Sequence, residues 1–381
     1  MKKIIYAMLL ALFCLPCVSY AENEDIEAQI EYELSQYDLS AWDDYFKGLP
    51  ENIQSVIGSD AQSMIEGYAA GEANSDYNGT LENVKNMLLS ALKENIFPLA
   101  LIVAISALSG LAGVLTDDSV KKTGENAVAF ICTGLCVLLL MHEFSRISAA
   151  ASAAVYSLTG FTEATTPVLA AMIAAAGSVG TSGMLSPLSV FLNTTVVGMF
   201  ENIIMPLTLS SAAIASVGAL THSTRMAHLL KLIKTVLKWI IGLVFTVYLG
   251  MLTVQGIAAY SADSIALKSA KFALDKSVPV VGSVVSGTLS TVMSCAGMIK
   301  NAAGISAVLI SCAYVLSPLL CIGGATLAFR IGAALCETVA DGAIPSLLSS
   351  LADVCNYLFA AVVATGIMFM ITLGLCIMVG G

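Results

Sequence analysis

The chain has 381 residues, of which 57% are hydrophobic and only 12% are charged, and its formal net charge is −10. Soluble globular domains have about 25% charged residues, so the composition excludes an ordinary soluble enzyme. The sequence also contains apolar runs of roughly twenty residues, the length that a helix needs to cross a bilayer. We therefore predict an all-α, polytopic integral membrane protein with about six to eight transmembrane or re-entrant helices.

Residues 1–21 have the pattern of a secretory signal peptide. Lys2 and Lys3 form a positively charged start, an apolar core follows, and the small residues Ser19 and Ala21 come just before the expected cleavage point. This pattern predicts export of the following segment and cleavage after Ala21. The alternative is an uncleaved helix that anchors the N-terminus in the membrane.

Residues 22–95 form an acidic region before the first apolar run. The segment 22–80 holds fourteen Asp and Glu residues and a single basic residue, Lys47. Apolar residues recur in it at helical spacing, which predicts a small extracytoplasmic helical domain or a flexible arm. Its acidic surface either binds a basic partner or a divalent ion, or is simply solvated. Residues 96–381 are predicted to form the transmembrane domain.

The transmembrane region contains several apolar runs, some interrupted by Pro, Gly or polar residues. The run at 188–220 is long enough for one tilted span or for a hairpin of two short ones. In chain order the runs are 96–116, 127–141, 168–183, 188–220, 238–259, 278–298, 305–329 and 357–379. The interruptions leave the number of spans open.

Two polar segments lie between these runs. The first is a cationic face with a spacing of three or four residues, formed by Arg225, His228, Lys231, Lys234 and Lys238. Such a face beside a span is typical of the cytoplasmic surface, where it meets anionic lipid. The second is an amphipathic helix whose polar stripe contains Ser264, Lys268, Lys271 and Asp275. It is predicted to lie on the membrane surface or to line a polar cavity.

No motif for catalysis is present. The sequence has neither the G-x-x-x-x-G-K-[ST] phosphate-binding loop nor the G-x-S-x-G nucleophile elbow, and its three His residues are scattered. We predict no enzymatic activity, no cofactor and no metal. Three acidic residues in apolar surroundings, Glu201, Glu337 and Asp341, are candidate residues of a proton or ion pathway. The alternative is that water at a loop or interface solvates each of them.

Several longer motifs give the chain a family resemblance. They are V-Q-G at 254–256, K-S-A-K-F at 268–272, V-P-V-V-G at 278–282, K-N-A-A-G at 300–304, and E-N-I-I-M-P-L at 201–207. With the signal peptide, the acidic region and the basic helix in the same order, they resemble the stage III sporulation protein AE family of endospore-forming bacteria. The likeness covers nearly the whole chain and is strongest over 185–310. These motifs mark the family without indicating a mechanism.

The resemblance implies a multi-pass protein of the mother-cell membrane around the forespore, with its N-terminal region outside the cytoplasm. It implies a non-enzymatic component of the channel-like, secretion-like complex that links mother cell and forespore. Its partners would be other proteins of the stage III sporulation operon, a forespore membrane protein and membrane lipid, with no nucleic acid. The alternative is a secondary transporter or permease for a small solute or ion, which the interrupted runs and the intramembrane acids favour.

Overall fold

We describe the protein from a computed structural model. It describes residues 32, 34–49, 54, 60–70, 77–115, 121–221, 224–277, 282–339 and 342–378. Within these ranges only the backbone is described at 70, 77–81, 83–84, 88, 112–115, 121–126, 224, 255–277, 282–295, 339, 375–376 and 378. The predicted signal peptide, residues 1–21, lies outside this description.

The described residues are 95% helical and include no strand, which confirms the all-α prediction. In chain order the helices are α1 (Ser40–Lys47), α2 (Ala61–Ala70), α3 (Tyr77–Leu115), α4 (Lys121–Ala175), α5 (Val179–Phe191), the π-helix π1 (Leu192–Val196), α6 (Val197–Met199), the π-helix π2 (Phe200–Ile204), α7 (Met205–Thr221), α8 (Thr224–Ser277), α9 (Gly282–Val339) and α10 (Ala343–Met378). The boundary suggested at residue 95 lies inside α3.

Six segments of the described chain are long and apolar enough to cross a membrane. They are Lys85–Leu111, Ala127–Ala175, Val179–Thr221, Arg225–Val254, Ala296–Thr338 and Ala343–Gly374. This confirms a polytopic membrane protein. Each segment is longer than the apolar run on which its prediction rested, because helix continues through the polar interruptions.

Helix α4 contains the predicted run 127–141 and the first part of the run 168–183, whose remainder lies beyond the turn at Gly177. Its apolar part, Ala127–Ala175, has 49 residues, which corresponds to about 73 Å of helix. The hydrocarbon core of a bilayer is about 30 Å thick. A single flat bilayer therefore cannot cover the whole of α4, and its two halves must have different surroundings.

The segment from α5 to α7 is one rod rather than a hairpin. The sequence left both possibilities open for 188–220, and the structure shows continuous helix in which two π turns interrupt the α geometry. The rod runs antiparallel to α4, and the turn between them is fixed by Gly177. Its φ of 88° is unfavourable for residues with a side chain. The N–H of Ser178 donates to the carbonyl of Ile173, as in a Schellman helix end.

Helices α9 and α10 form the central hairpin of the bundle. Close approach is possible because small residues lie where the helices touch: a Cβ at Gly366 would lie 3.0 Å from Val315. Helix α3 packs on α9 in the same way, since a Cβ at Gly324 would lie 3.2 Å from that of Ala91. Small residues at helix contacts are typical of membrane bundles.

The acidic N-terminal region packs on this bundle through α1. Trp42 and Phe46 are fully buried, and the Trp42 ring lies edge-on to Phe161 of α4 with 6.0 Å between centroids. The Tyr314 hydroxyl of α9 donates to the backbone carbonyl of Tyr45. A Cβ at Gly160 would collide with the Tyr45 hydroxyl, so this glycine makes room for α1. Of the two forms predicted for this region, α1 has that of a packed helix.

Candidate functional site

Two groups of ion pairs connect the helices near the middle of the bundle. In the first, Arg146 of α4 donates to Glu94 of α3 at 3.0 Å and to Glu143 at 3.1 Å. In the second, Asp353 of α10 accepts from Lys234 of α8 at 3.1 Å and from Arg330 of α9 at 3.2 Å. Together they tie α3 to α4 and α8 to α9 and α10.

Contacts with α9 place the two groups of ion pairs at a similar level along the axis of the helix bundle. Ala91, one turn before Glu94, lies against Gly324, and Arg330 follows six residues further along α9. Six helical residues correspond to about 9 Å. We call the six charged residues Glu94, Glu143, Arg146, Lys234, Arg330 and Asp353 the ionic belt.

The predicted basic face lies beside this belt, on the first turns of α8. Arg225, His228, Lys231 and Lys238 are exposed, whereas the Lys234 side chain is only 14% exposed because it turns toward Asp353. Trp239 follows directly and is exposed. An aromatic next to a row of cations is typical of a membrane–water interface.

A second polar region lies in the groove between α4 and the rod α5–α7. The Asn193 side chain, in π1, donates to Glu163 of α4 with 3.0 Å between Nδ2 and Oε1. Glu201, in π2, interacts across the same groove with the Tyr156 hydroxyl. Both contacts are near the outer surface, since Glu163 is exposed and Tyr156 is 59% exposed.

The two π turns explain why Asn193 and Glu201 both reach α4. Eight residues of α-helix turn through about 800°, which would leave the two side chains about 80° apart. A π turn takes one more residue per hydrogen-bonded turn, so two of them rotate Glu201 back toward the side of Asn193. Short π-helical stretches inside α-helices occur frequently at functional sites.

Two oxygens of this region have no hydrogen-bond partner. They are Oε1 of Glu201 and Oδ1 of Asn193, and both atoms are buried. Deeper in the groove, polar groups are satisfied: the hydroxyls of Thr166 and Ser189 lie 2.9 Å apart and are buried. We call Tyr156, Glu163, Asn193, Glu201 and Asn202 the polar face.

Lateral contacts put this polar face level with an apolar surface of α8. Phe161, two residues before Glu163, contacts Tyr314 of α9, and the adjacent Val315 lies against Gly366 of α10. Two residues further along α10, the Met368 carbonyl accepts from the Tyr248 hydroxyl of α8. Between this level and the ionic belt, α8 exposes the large side chains of Val236, Trp239, Leu243 and Val247.

Comparison with known proteins decides the family. The family model described as Stage III sporulation protein AE matches residues 59–380. The chain belongs to the stage III sporulation protein AE family. The protein of that name from Bacillus subtilis (strain 168) is 26% identical over 267 residues, which cover 70% of this chain and 67% of the relative. No solved structure matches significantly. The resemblance predicted from the motifs is confirmed.

Membership of the stage III sporulation protein AE family assigns the chain a role in sporulation, in association with other sporulation proteins. With six apolar segments among its described residues, the chain is a multi-pass membrane protein. The family name denotes a stage of sporulation and no reaction. Among the residues that the structure describes, no three His, Cys, Asp or Glu converge as metal ligands would.

The structure brings one of the three predicted pathway acids into the polar face of this family member. Glu201 lies there, whereas Glu337 is exposed in an open cavity of about 460 Å³ at the turn between α9 and α10. Asp341 lies outside the described residues. The predicted amphipathic stripe Ser264, Lys268, Lys271 and Asp275 falls within α8, but these side chains lie outside the description.

Sequence reasoning assigned no site role to Tyr156, Glu163 or Asn193. A signal for Glu163 was present: it lies seven residues after Tyr156, so both fall on one side of a helix. The contacts of Tyr156 and Glu163 with the rod depend on how α4 and the rod are aligned along the groove. The spacing of residues on α4 alone does not predict that alignment.

Proposed function

We propose that the chain is a non-enzymatic membrane component of a channel-like, secretion-like complex that links mother cell and forespore during endospore development. The observation that carries the proposal is the polar face, which exposes carboxylate and amide groups at a height where α8 exposes large apolar side chains. Polar groups are costly against acyl chains. This surface therefore needs protein or water on its outer side, as a subunit of an assembly would have.

The orientation that we propose follows from the distance between α1 and the ionic belt. Phe161, beneath α1, lies fifteen residues after Arg146 on the same helix, which corresponds to about 22 Å. This is most of the hydrocarbon thickness. We place the belt and the basic face at the cytoplasmic surface of the mother-cell membrane and the acidic region, after signal cleavage, on the other side.

The partners that we propose are other proteins of the stage III sporulation operon and a protein of the forespore membrane. Lipid would cover α8, whose exposed Trp239, Leu243 and Val247 are suited to acyl chains. The protein partners would lie on the side of the bundle that carries the polar face.

Co-purification tests this function. The full chain with a C-terminal tag would be extracted in mild detergent from sporulating cells, as the parent and as two variants with a new bulky residue. Ala153→Trp fills an exposed small position on the α4 surface that carries the polar face, and Val247→Trp enlarges an exposed residue of α8.

We expect the parent and Val247→Trp to retain other stage III proteins and to support spore formation, and Ala153→Trp to lose both at normal membrane abundance. Recovery of the parent chain without sporulation partners would contradict the proposal, as would equal effects of the two variants.

One observation favours the alternative of a secondary transporter: Glu201 lies within a candidate span and has an oxygen without a partner. Ionisable groups at such positions occur in ion-coupled transporters. Reconstitution of the full chain alone in liposomes separates the two functions. Solute or proton uptake without any partner would support the transporter, and uptake that requires co-purified partners would support the assembly.

A further inference from the structure

We propose that the polar face lines a water-filled passage that conducts hydrated cations, with Glu163 toward the end near α1 and Glu201 deeper in the membrane. The inference rests on the proposed function, because one copy of the chain leaves the face open on one side and other subunits of the assembly must close the passage.

The first argument is the charge of the two elements that form the face. Residues 147–221 contain no Lys or Arg, and their acidic residues are Glu163 and Glu201. Both acidic residues therefore lie on the polar face, on opposite sides of one groove. A surface with negative and no positive groups of its own is complementary to cations, and carboxylates lining a pore are a known basis of cation selectivity.

The second argument is the character of the surrounding surface. Between Leu138 and Val179, the only exposed large side chain among those classed as hydrophobic is Tyr156. The other exposed positions of α4 in this stretch are small or polar, including Ala149, Ala153 and Glu163. On the rod, the hydroxyl and amide groups of Thr194, Thr195 and Asn202 are exposed, beside the exposed apolar side chains of Val190 and Ile203. Such hydroxyl and amide groups can hydrogen-bond water along the surface.

The third argument is the cost of a dry contact. An apolar helix packed here would desolvate the exposed Glu163 carboxylate, which is strongly unfavourable. A second copy packed directly on the same face would bring carboxylates together. Water removes both costs. The remaining dry arrangement is a partner helix with a cationic side chain against the face. The thiol experiment below distinguishes that arrangement from a water-filled passage.

The spacing along the face suits stepwise passage. Tyr156 and Glu163 are seven residues apart on α4, which corresponds to about 10 Å. The Asn193–Glu163 and Tyr156–Glu201 contacts thus form two successive polar levels. Conduction requires sites that bind weakly enough for ions to leave, and two separated carboxylates with solvated neighbours meet this condition.

Thiol modification in membrane vesicles from sporulating cells tests the passage, with the full chain and its partners present. Asn202→Cys introduces a thiol beside Glu201, and Val247→Cys introduces one on the apolar surface of α8 as a matched control. Each is treated with a cationic and with an anionic membrane-impermeant thiosulfonate. The unmodified chain gives the background of its own cysteines, and a free thiol in solution normalises the two rates.

We expect Asn202→Cys to react about tenfold faster with the cationic reagent after normalisation, because the carboxylate of the neighbouring residue Glu201 attracts one reagent and repels the other. Adding Glu201→Gln should bring the normalised ratio close to unity, and Glu201→Asp should preserve it. Val247→Cys should react with neither reagent.

Inert Asn202→Cys would overturn the proposal in favour of a dry interface. A ratio near unity, or one that Glu201→Gln leaves unchanged, would also overturn it. Failure of the proposed function is a separate result. A chain that purifies without sporulation partners contradicts that function, whatever the ratio of the two reaction rates. If the partners co-purify but Asn202→Cys reacts with neither reagent, only the passage is contradicted.

Discussion

The two halves of α4 on either side of the ionic belt differ in what they expose. The N-terminal half exposes large apolar side chains at Val128, Phe130, Ile131, Leu135 and Leu138. The C-terminal half exposes mainly small and polar residues and, among large ones, Tyr156. Both halves belong to one continuous apolar segment, Ala127–Ala175. Membership of one apolar segment therefore does not reveal what covers each part of a membrane helix.

The inner surfaces of the two halves differ as well. The N-terminal half buries aliphatic side chains and Cys136 against its neighbours in the bundle. The C-terminal half buries Phe161, Leu169 and Met172 in a cluster that includes Trp42 of the acidic region. The first half thus exposes an apolar surface, and the second is covered on one side by α1 and on another, as we propose, by water. Substitutions matched between the halves test this contrast.

The largest expected effect is at the aromatic cluster under α1. Phe161→Ala removes a fully buried ring that contacts Trp42, Tyr45 and Tyr314. Truncation of a buried Phe lowers the free energy of unfolding by about 3–5 kcal/mol. Thermal unfolding of the detergent-solubilised full chain, followed with protease sensitivity of the N-terminal region, would measure it.

Phe130→Ala in the N-terminal half is the matched control. Phe130 is 58% exposed, and surface substitutions usually change stability by less than about 0.5 kcal/mol. Comparable decreases in the free energy of unfolding for Phe161→Ala and Phe130→Ala would show that the two halves are packed alike.

The next effect comes from a charge placed on the outer surface of each half. Leu138→Lys puts an ammonium group where a large apolar side chain is exposed. Leu138 lies eight residues before Arg146, so in the proposed placement it is about 12 Å beyond the belt, and an ammonium group there is unfavourable against the apolar surface that covers it. We expect less of the full chain in quantitative blots of membrane fractions. Ala153→Lys, on the C-terminal half, should leave the inserted amount near the parent level because water or polar protein covers that surface. Equal decreases in the membrane-bound amount of the two variants would show that the outer surfaces of the two halves do not differ.

The sequence was sufficient for the class of fold and for the location of most apolar segments, because length and hydropathy are local properties. It was insufficient for the docking of Trp42 on Phe161, which joins residues more than a hundred positions apart. The π turns at Leu192 and Phe200 leave no simple compositional mark, so the joint orientation of Asn193 and Glu201 came only with the backbone. Glu201 itself was predicted because an isolated acid in apolar sequence is costly.

A smaller effect is expected at the ionic belt, which separates the two halves. Asp353→Asn removes the carboxylate that pairs with Lys234, whose side chain is mostly buried. Leaving a buried charged group without its partner costs about 1–3 kcal/mol, so the midpoint of thermal unfolding should fall.

Arg330→Gln is the control at the same carboxylate. Its pair with Asp353 is half-exposed on both sides, and exposed pairs contribute about 0–1 kcal/mol. A larger loss from Arg330→Gln than from Asp353→Asn would show that burial of Lys234 is not what makes the belt stabilising.

The smallest expected effect concerns the start of α1, the helix that covers the C-terminal half of α4. The Asp38 carboxylate accepts hydrogen bonds from the side chain and backbone N–H of Ser40, which lower its pKa. A lowered pKa in the folded state means that the stabilisation is complete above the unfolded value, about 3.9, and is lost as the pH falls through the folded value.

Hydrogen exchange of residues 40–47 in the full chain would measure this effect. Asp38→Ala should increase exchange relative to the parent at pH 7, and the difference should shrink as the pH falls through the lowered pKa of the parent's Asp38 carboxyl group. Asp44→Ala, at an exposed position within α1, controls for a change of charge alone. A difference for Asp38→Ala that persisted unchanged in acid would mean that its carboxylate does not hold the first turn of α1. The stability of that end of the helix would then come from burial of Trp42 and Phe46, the same contacts that attach α1 to α4.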